Sequence, residues 1–126
     1  MAMEFSAINL VREEDGLFMN ATISDIDGTP KASWTFRQHD DEFSNTVQLT
    51  NNQFSDLWNG LNAPVFTRHA VRDLNAQLDF RTKYVVGVVF NMDGETGRGT
   101  FLIPQDETDP DWLEWLRQIR ATQRDS

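Results

Sequence analysis

Acidic side chains are the commonest groups in this chain that do chemistry: its 126 residues hold 20 Asp and Glu against 11 Lys and Arg, with two histidines and no cysteine. Without cysteine there is no thiol nucleophile, disulfide or cysteine-ligated zinc. A histidine general base has to be His39 or His69. His69 and Asp73 would be neighbours at i and i+4 on a helix, a spacing that reads as a surface pair before it reads as an oriented base. His39 stands beside Asp40 and Asp41 in a turn, where a metal site would need further ligands from distant segments. Gly94-Glu95-Thr96-Gly97-Arg98-Gly99 is glycine-rich, but it lacks the Lys-Ser/Thr ending of a phosphate loop and runs into a strand instead of a helix N-terminus. It reads as a flexible hairpin loop. No cofactor and no metal is expected from these residues, and no catalytic residue stands out.

Asp25-Ile26-Asp27-Gly28-Thr29 resembles the nucleophile motif of the haloacid-dehalogenase-type phosphatases, in which the first Asp attacks phosphorus and the second serves as acid and base. The resemblance covers five residues and departs from the family at Pro30, where an apolar residue is the pattern, and at the half-polar strand carrying Asn20, Thr22 and Ser24. The same Asp25-x-Asp27-Gly28 string matches the opening of a calcium loop, yet the place of the closing bidentate Glu is taken by Phe36. Both strings are better explained as an Asp-Gly hairpin turn.

The elements that position these residues follow from periodicity. Tyr84 to Phe90, the Asp93-Gly94 cluster and Thr100 to Pro104 make an antiparallel hairpin. Its first arm is apolar at nearly every position, so it is expected inside the sheet with both faces covered. Leu17, Met19, Ala21 and Ile23 alternate with polar neighbours, as do Ala32, Trp34 and Phe36, and then Phe43, Val47 and Leu49. Phe5 to Val11 alternates less regularly. Thr50 with Gln53 fits a capping box opening a stripe of Phe54, Leu57, Trp58 and Leu61, which Gly60 and Pro64 end by a left-handed residue and a helix breaker. Asp109-Pro110 opens a second helix whose face is Trp112, Trp115, Leu116 and Ile119, with Arg117, Arg120 and Arg124 toward its C-terminus. The tryptophans read as core. Residues 65–83 fit a helix and a strand equally well. The expected fold is a single α+β domain over residues 1–126. It is mostly antiparallel sheet, with an N-terminal meander and a central strand 84–92 in a hairpin with 99–104, packed by helices near 51–60 and 110–123.

A net charge of −9 repels nucleic acid phosphates and anionic lipid, and no apolar window is long enough for a membrane span, so the expected setting is cytoplasmic. In a simple meander the first and third turns lie at one end of the sheet. That brings Glu13, Glu14 and Asp15 near Asp40, Asp41 and Glu42 and focuses a negative potential outward. These six residues are the candidate binding surface for a basic protein partner, in a non-catalytic domain of the inhibitor, immunity or adaptor kind. The alternatives are an acidic chaperone-like dimer for a secreted or assembled protein, and an enzyme or ligand-binding domain with a pocket between sheet and helices using Asp25, Asp27 or His69.

Overall fold

A computed structural model describes residues 4–71 and 83–123. Four strands come first, β1 (Phe5–Glu14), β2 (Leu17–Ile26), β3 (Thr29–Gln38) and β4 (Asp41–Gln48), each antiparallel to the one before. The turns joining them are short and tightly specified. Asp15-Gly16 has φ of 51° and 79°, and Asp27-Gly28 has 51° and 83°, the paired left-handed geometry whose twist matches the flanking strands. A Cβ at Gly28 would meet nothing within 4 Å, so only the backbone resists a larger residue there. Gly28→Ala is therefore expected to cost about 1 kcal/mol, read as a lower urea midpoint with an unchanged slope.

Two helices follow, α1 (Asn51–Gly60) and α2 (Pro64–Arg68), then β5 (Lys83–Met92), β6 (Glu95–Pro104) and α3 (Pro110–Ala121). The sheet order is β4-β3-β2-β1-β5-β6, with β5 antiparallel to β1 so that Leu10 faces Val86 and Ile8 faces Val88. The fold is thus the expected α+β arrangement, one six-stranded antiparallel sheet with three helices. Both capping expectations hold. The Gln53 amide donates to Thr50 Oγ1 at 3.1 Å while the Thr50 amide donates to Gln53 Oε1 at 2.8 Å, and Asp109 Oδ1 accepts from the Asp111 amide at 2.9 Å. No helix among the described residues is long and apolar enough to cross a membrane.

All three helices pack on one face of the sheet, where Ile8, Leu10, Ile23, Trp34, Val86 and Ile103 meet Leu57, Phe66, Trp112, Trp115 and Ile119. Phe66 stands edge-on to Trp112 and Trp115, with ring centroids 5.9 and 5.1 Å away. Trp34, Trp112 and Trp115 are core residues as their spacing implied, and Trp58 is partly buried against Phe54 and Phe90.

Three details differ from the sequence reading, and a fourth segment that it left open is settled in part. Strand β5 lies between β1 and β6, but only Tyr84 and Val86 are buried; Val85, Gly87 and Val89 alternate onto a sheet face that no described helix covers, and Val89 is 41% exposed. A run of valines satisfies β-propensity on an open face as readily as it fills a core, so burial on both sides did not follow. The glycine-rich stretch is not a loop either. The turn is confined to Asp93-Gly94, and residues 95–99 are paired strand, with the Phe90 ring lying over Gly97, where a Cβ would collide with it. Gly60 does not adopt a left-handed end; α1 closes through Leu61 in a right-handed conformation, and a Cβ on Gly60 would sit 2.7 Å from Trp115 Cδ1, so this glycine serves the approach of α3. Within 65–83, residues 65–68 belong to the short α2, Ala70 bridges to Phe101, and 72–82 lie outside the described residues, as does Asp73.

Candidate functional site

Register decides which turns share an end of the sheet. Glu14 pairs with Leu17, Leu17 with Gln38, and Gln38 with Asp41, so the β1–β2 and β3–β4 turns project from the same end. Their centres are two strand spacings apart, about 10 Å, which is close to the screening length at 0.1 M salt. The potentials of the two turns therefore add at moderate ionic strength. Glu14, Asp15, Asp40, Asp41 and Glu42 are exposed and Glu13 is half-buried. His39, in the third turn, takes a left-handed φ of 54°.

Behind the first turn lies a counter-charge that composition alone does not show. Arg12 is 2% exposed, on the helix-covered side of β1. It donates from Nη1 to the Glu13 carbonyl at 2.6 Å and from Nη2 to Gln105 Oε1 at 2.7 Å, and its guanidinium lies 5.3 Å from the centroid of the Tyr84 ring. Tyr84 in turn accepts at its hydroxyl from Arg120 at 3.0 Å. A shallow cavity of about 310 Å³ is bounded by Arg12, Glu13, Glu14, Asp15, Gly16 and Gln105. Arg12 thus ties the acidic turn to the segment between β6 and α3, and it gives the carboxylates of the first turn a buried positive neighbour. The signal for it was present: an arginine at the inward parity of a strand, two residues after Leu10.

The opposite end of the sheet is also acidic. Because β5 runs antiparallel to β1, the β5–β6 turn projects from the same end as the β2–β3 turn, with the start of β1 between them, and Glu4, Asp25, Asp27, Asp93 and Glu95 lie along that end. A cavity of about 140 Å³ is lined by Glu4, Phe5, Ser6, Asp25, Asp27, Gly28 and Met92. Asp25 Oδ1 is buried without a hydrogen-bond partner among the described residues. This second cluster depends on a pairing between strands far apart in sequence, and local patterning carries no information about such a pairing.

His69 is elsewhere. Its Nε2 lies 2.9 Å from Glu107 Oε1, and Arg68 Nη2 reaches Glu107 at 3.4 Å and Asp109 at 3.1 Å. The Glu107 carboxyl is held below its usual value chiefly by the hydrogen bond from His69, with burial opposing, and Asp109 also sits low because the amides of Asp111 and Trp112 and the Arg68 guanidinium outweigh its desolvation. The structure therefore pairs His69 with Glu107, and it brings neither Asp25 nor Asp27 to it. Between sheet and helices, where the alternative enzyme reading puts a pocket, stand the rings of Trp34, Phe66, Trp112 and Trp115. Among the described residues no three His, Asp or Glu side chains converge in a way that could hold a metal ion. No family model, curated protein or solved structure matches this chain.

Proposed function

We propose that the protein is a non-catalytic binding domain that receives a basic protein partner on the carboxylates of its first and third turns. The observation that supports this reading most directly is the register that sets Glu13, Glu14 and Asp15 about 10 Å from Asp40, Asp41 and Glu42, on tight turns with little freedom to disperse. Rigid, exposed charge of one sign raises the rate of encounter with the opposite sign more than it raises affinity. The turns are favoured over the opposite acidic end because Asp40, Asp41 and Glu42 are consecutive and exposed, whereas Asp25 is partly withdrawn into the sheet.

The test is kinetic. A partner recovered by cross-linking from the native host is presented to the wild type and to a variant with Asp40→Asn, Asp41→Asn and Glu42→Gln. Association is expected to slow about tenfold or more at low salt, with the difference shrinking as salt is added and with a nearly unchanged melting temperature. A companion variant neutralising Asp27, Asp93 and Glu95 is expected to associate at the wild-type rate. An on-rate indifferent to salt and to the first variant would remove the basis of the proposal.

A further inference from the structure

The two edges of the sheet are treated differently. At β6 the outer edge is covered over residues 100–102, since the Val71 amide donates to the Thr100 carbonyl at 2.8 Å, the Leu102 amide to the His69 carbonyl at 3.0 Å, and Ala70 bridges to Phe101. At β4 the outer edge has no backbone partner among the described residues. After the charged Asp41 and Glu42 that open the strand, the protections natural edge strands carry are missing: Phe43-Ser44-Asn45-Thr46-Val47-Gln48 contains no charge, no proline and no glycine, and its pairing with β3 runs through every residue without a bulge.

The direction of the free groups follows from one bond. The Leu49 amide donates to the Pro30 carbonyl at 3.0 Å, and hydrogen-bonded pairs alternate along an antiparallel ladder, so Phe43, Asn45 and Val47 direct their amides to β3. Glu42, Ser44, Thr46 and Gln48 direct theirs outward. A partner strand must match that parity. We infer that the occupant of this edge is the β4 strand of a second copy of this chain, paired antiparallel about a two-fold axis through Asn45, so that the two sheets become one.

That register is self-complementary residue by residue. Ser44 meets Thr46 of the second copy, extending across the interface the hydroxyl rows already made by Ser33 with Thr46 at 3.2 Å and Thr35 with Ser44 at 3.3 Å. Glu42 meets Gln48 rather than another carboxylate. On the helix side Phe43 meets Val47 in a non-hydrogen-bonded position, where side chains come closest and an aromatic beside a β-branched residue is a favourable cross-strand pair. This accounts for Phe43, a phenylalanine 72% exposed although it stands on the same side of the sheet as the core. The end of α3 lies on the helix side of this seam, where Trp34 Nε1 donates to Thr122 Oγ1 at 2.9 Å and Asn45 Nδ2, at the axis itself, donates to the Gln123 carbonyl at 3.3 Å, so each Asn45 amide is held by its own chain. The antiparallel arrangement also puts the two Asp40-Asp41-Glu42 corners at opposite ends of the joined strands. Their separation is about 25 Å, several times the screening length at physiological salt, so two chains of −9 can meet here with little repulsion. The inference does not rest on the partner reading above, and its test touches none of the six carboxylates.

Sedimentation equilibrium from micromolar concentrations upward is expected to give twice the 14.5 kDa mass of one chain. Thr46→Pro removes an outward amide and places a ring at the seam, a substitution an edge strand tolerates in the monomer, and it is expected to give the monomer mass with the same circular dichroism. Phe43→Ser is expected to weaken the dimer about tenfold through its two symmetric contacts with Val47. Val89→Glu, on the open sheet face, is expected to leave the dimer intact. A wild type that stays monomeric overturns the inference. So does a dimer that survives Thr46→Pro, or one that Val89→Glu dissolves while Thr46→Pro does not.

Discussion

Trp115→Ala is expected to lower the unfolding free energy by about 4 kcal/mol, a large share of what a domain of this size possesses. The ring is 2% exposed and joins three elements. It stacks on Trp112 with centroids 5.6 Å apart, takes the edge contact of Phe66 at 5.1 Å, and donates from Nε1 to the Leu57 carbonyl at 2.9 Å. Leu57 lies three residues before Gly60, the last of α1, where carbonyls lose their intrahelical donors, and the Leu61 amide turns instead to Trp58. Trp115 thus supplies a donor that the helix cannot supply itself. Gly60 allows the approach. Trp115→Phe keeps most of the ring and loses the donor, so its expected cost is about 1–2 kcal/mol. Urea unfolding followed by far-ultraviolet circular dichroism separates the two, and equal losses would mean that the ring's volume does not hold α1 and α3 together.

That contact also marks where local patterning stops being informative. Alternation along β2 and β3 and the turn chemistry at Asp15-Gly16 and Asp27-Gly28 are properties of a few neighbouring residues, so the meander and the closeness of its first and third turns were legible. The caps at Thr50 and Asp109 were legible for the same reason. Gly60 was misread because a glycine near a helix end has two uses, a left-handed residue or a place for another ring, and only the position of Trp115 decides between them. Val85 and Val89 were misread because the face a strand buries depends on how many layers the chain can supply, and here all the described helices are on one side. The second acidic end required the antiparallel pairing of β1 with β5, which connects residues some eighty positions apart. A charge count could not reveal it. The six carboxylates of the first acidic end, by contrast, needed only consecutive hairpins.

Arg12 connects that end of the sheet to the stability of the domain, and Arg12→Ala is expected to cost about 3 kcal/mol. A buried guanidinium is costly to desolvate, yet here it holds the Glu13 carbonyl and Gln105 Oε1 and lies against the Tyr84 ring. Its removal takes that donor from the Glu13 carbonyl and Gln105 Oε1 and empties the buried space the guanidinium fills beside the Tyr84 ring. Arg12→Met retains the apolar stem, and the part of the loss it recovers measures packing rather than hydrogen bonding. A cycle with Gln105→Ala is expected to show a coupling of about 1–2 kcal/mol, since the two side chains meet directly at 2.7 Å. The charge adds a second consequence. Without Arg12 the carboxylates of the first turn lose their nearest buried cation, so the variant is expected to gain more stability from added salt than the wild type does. If the stability difference between Arg12→Ala and the wild type were the same at low and high salt, Arg12 would act through packing and hydrogen bonds alone. The acidic turns would then be held together by their backbone geometry, with no help from a charge beneath them.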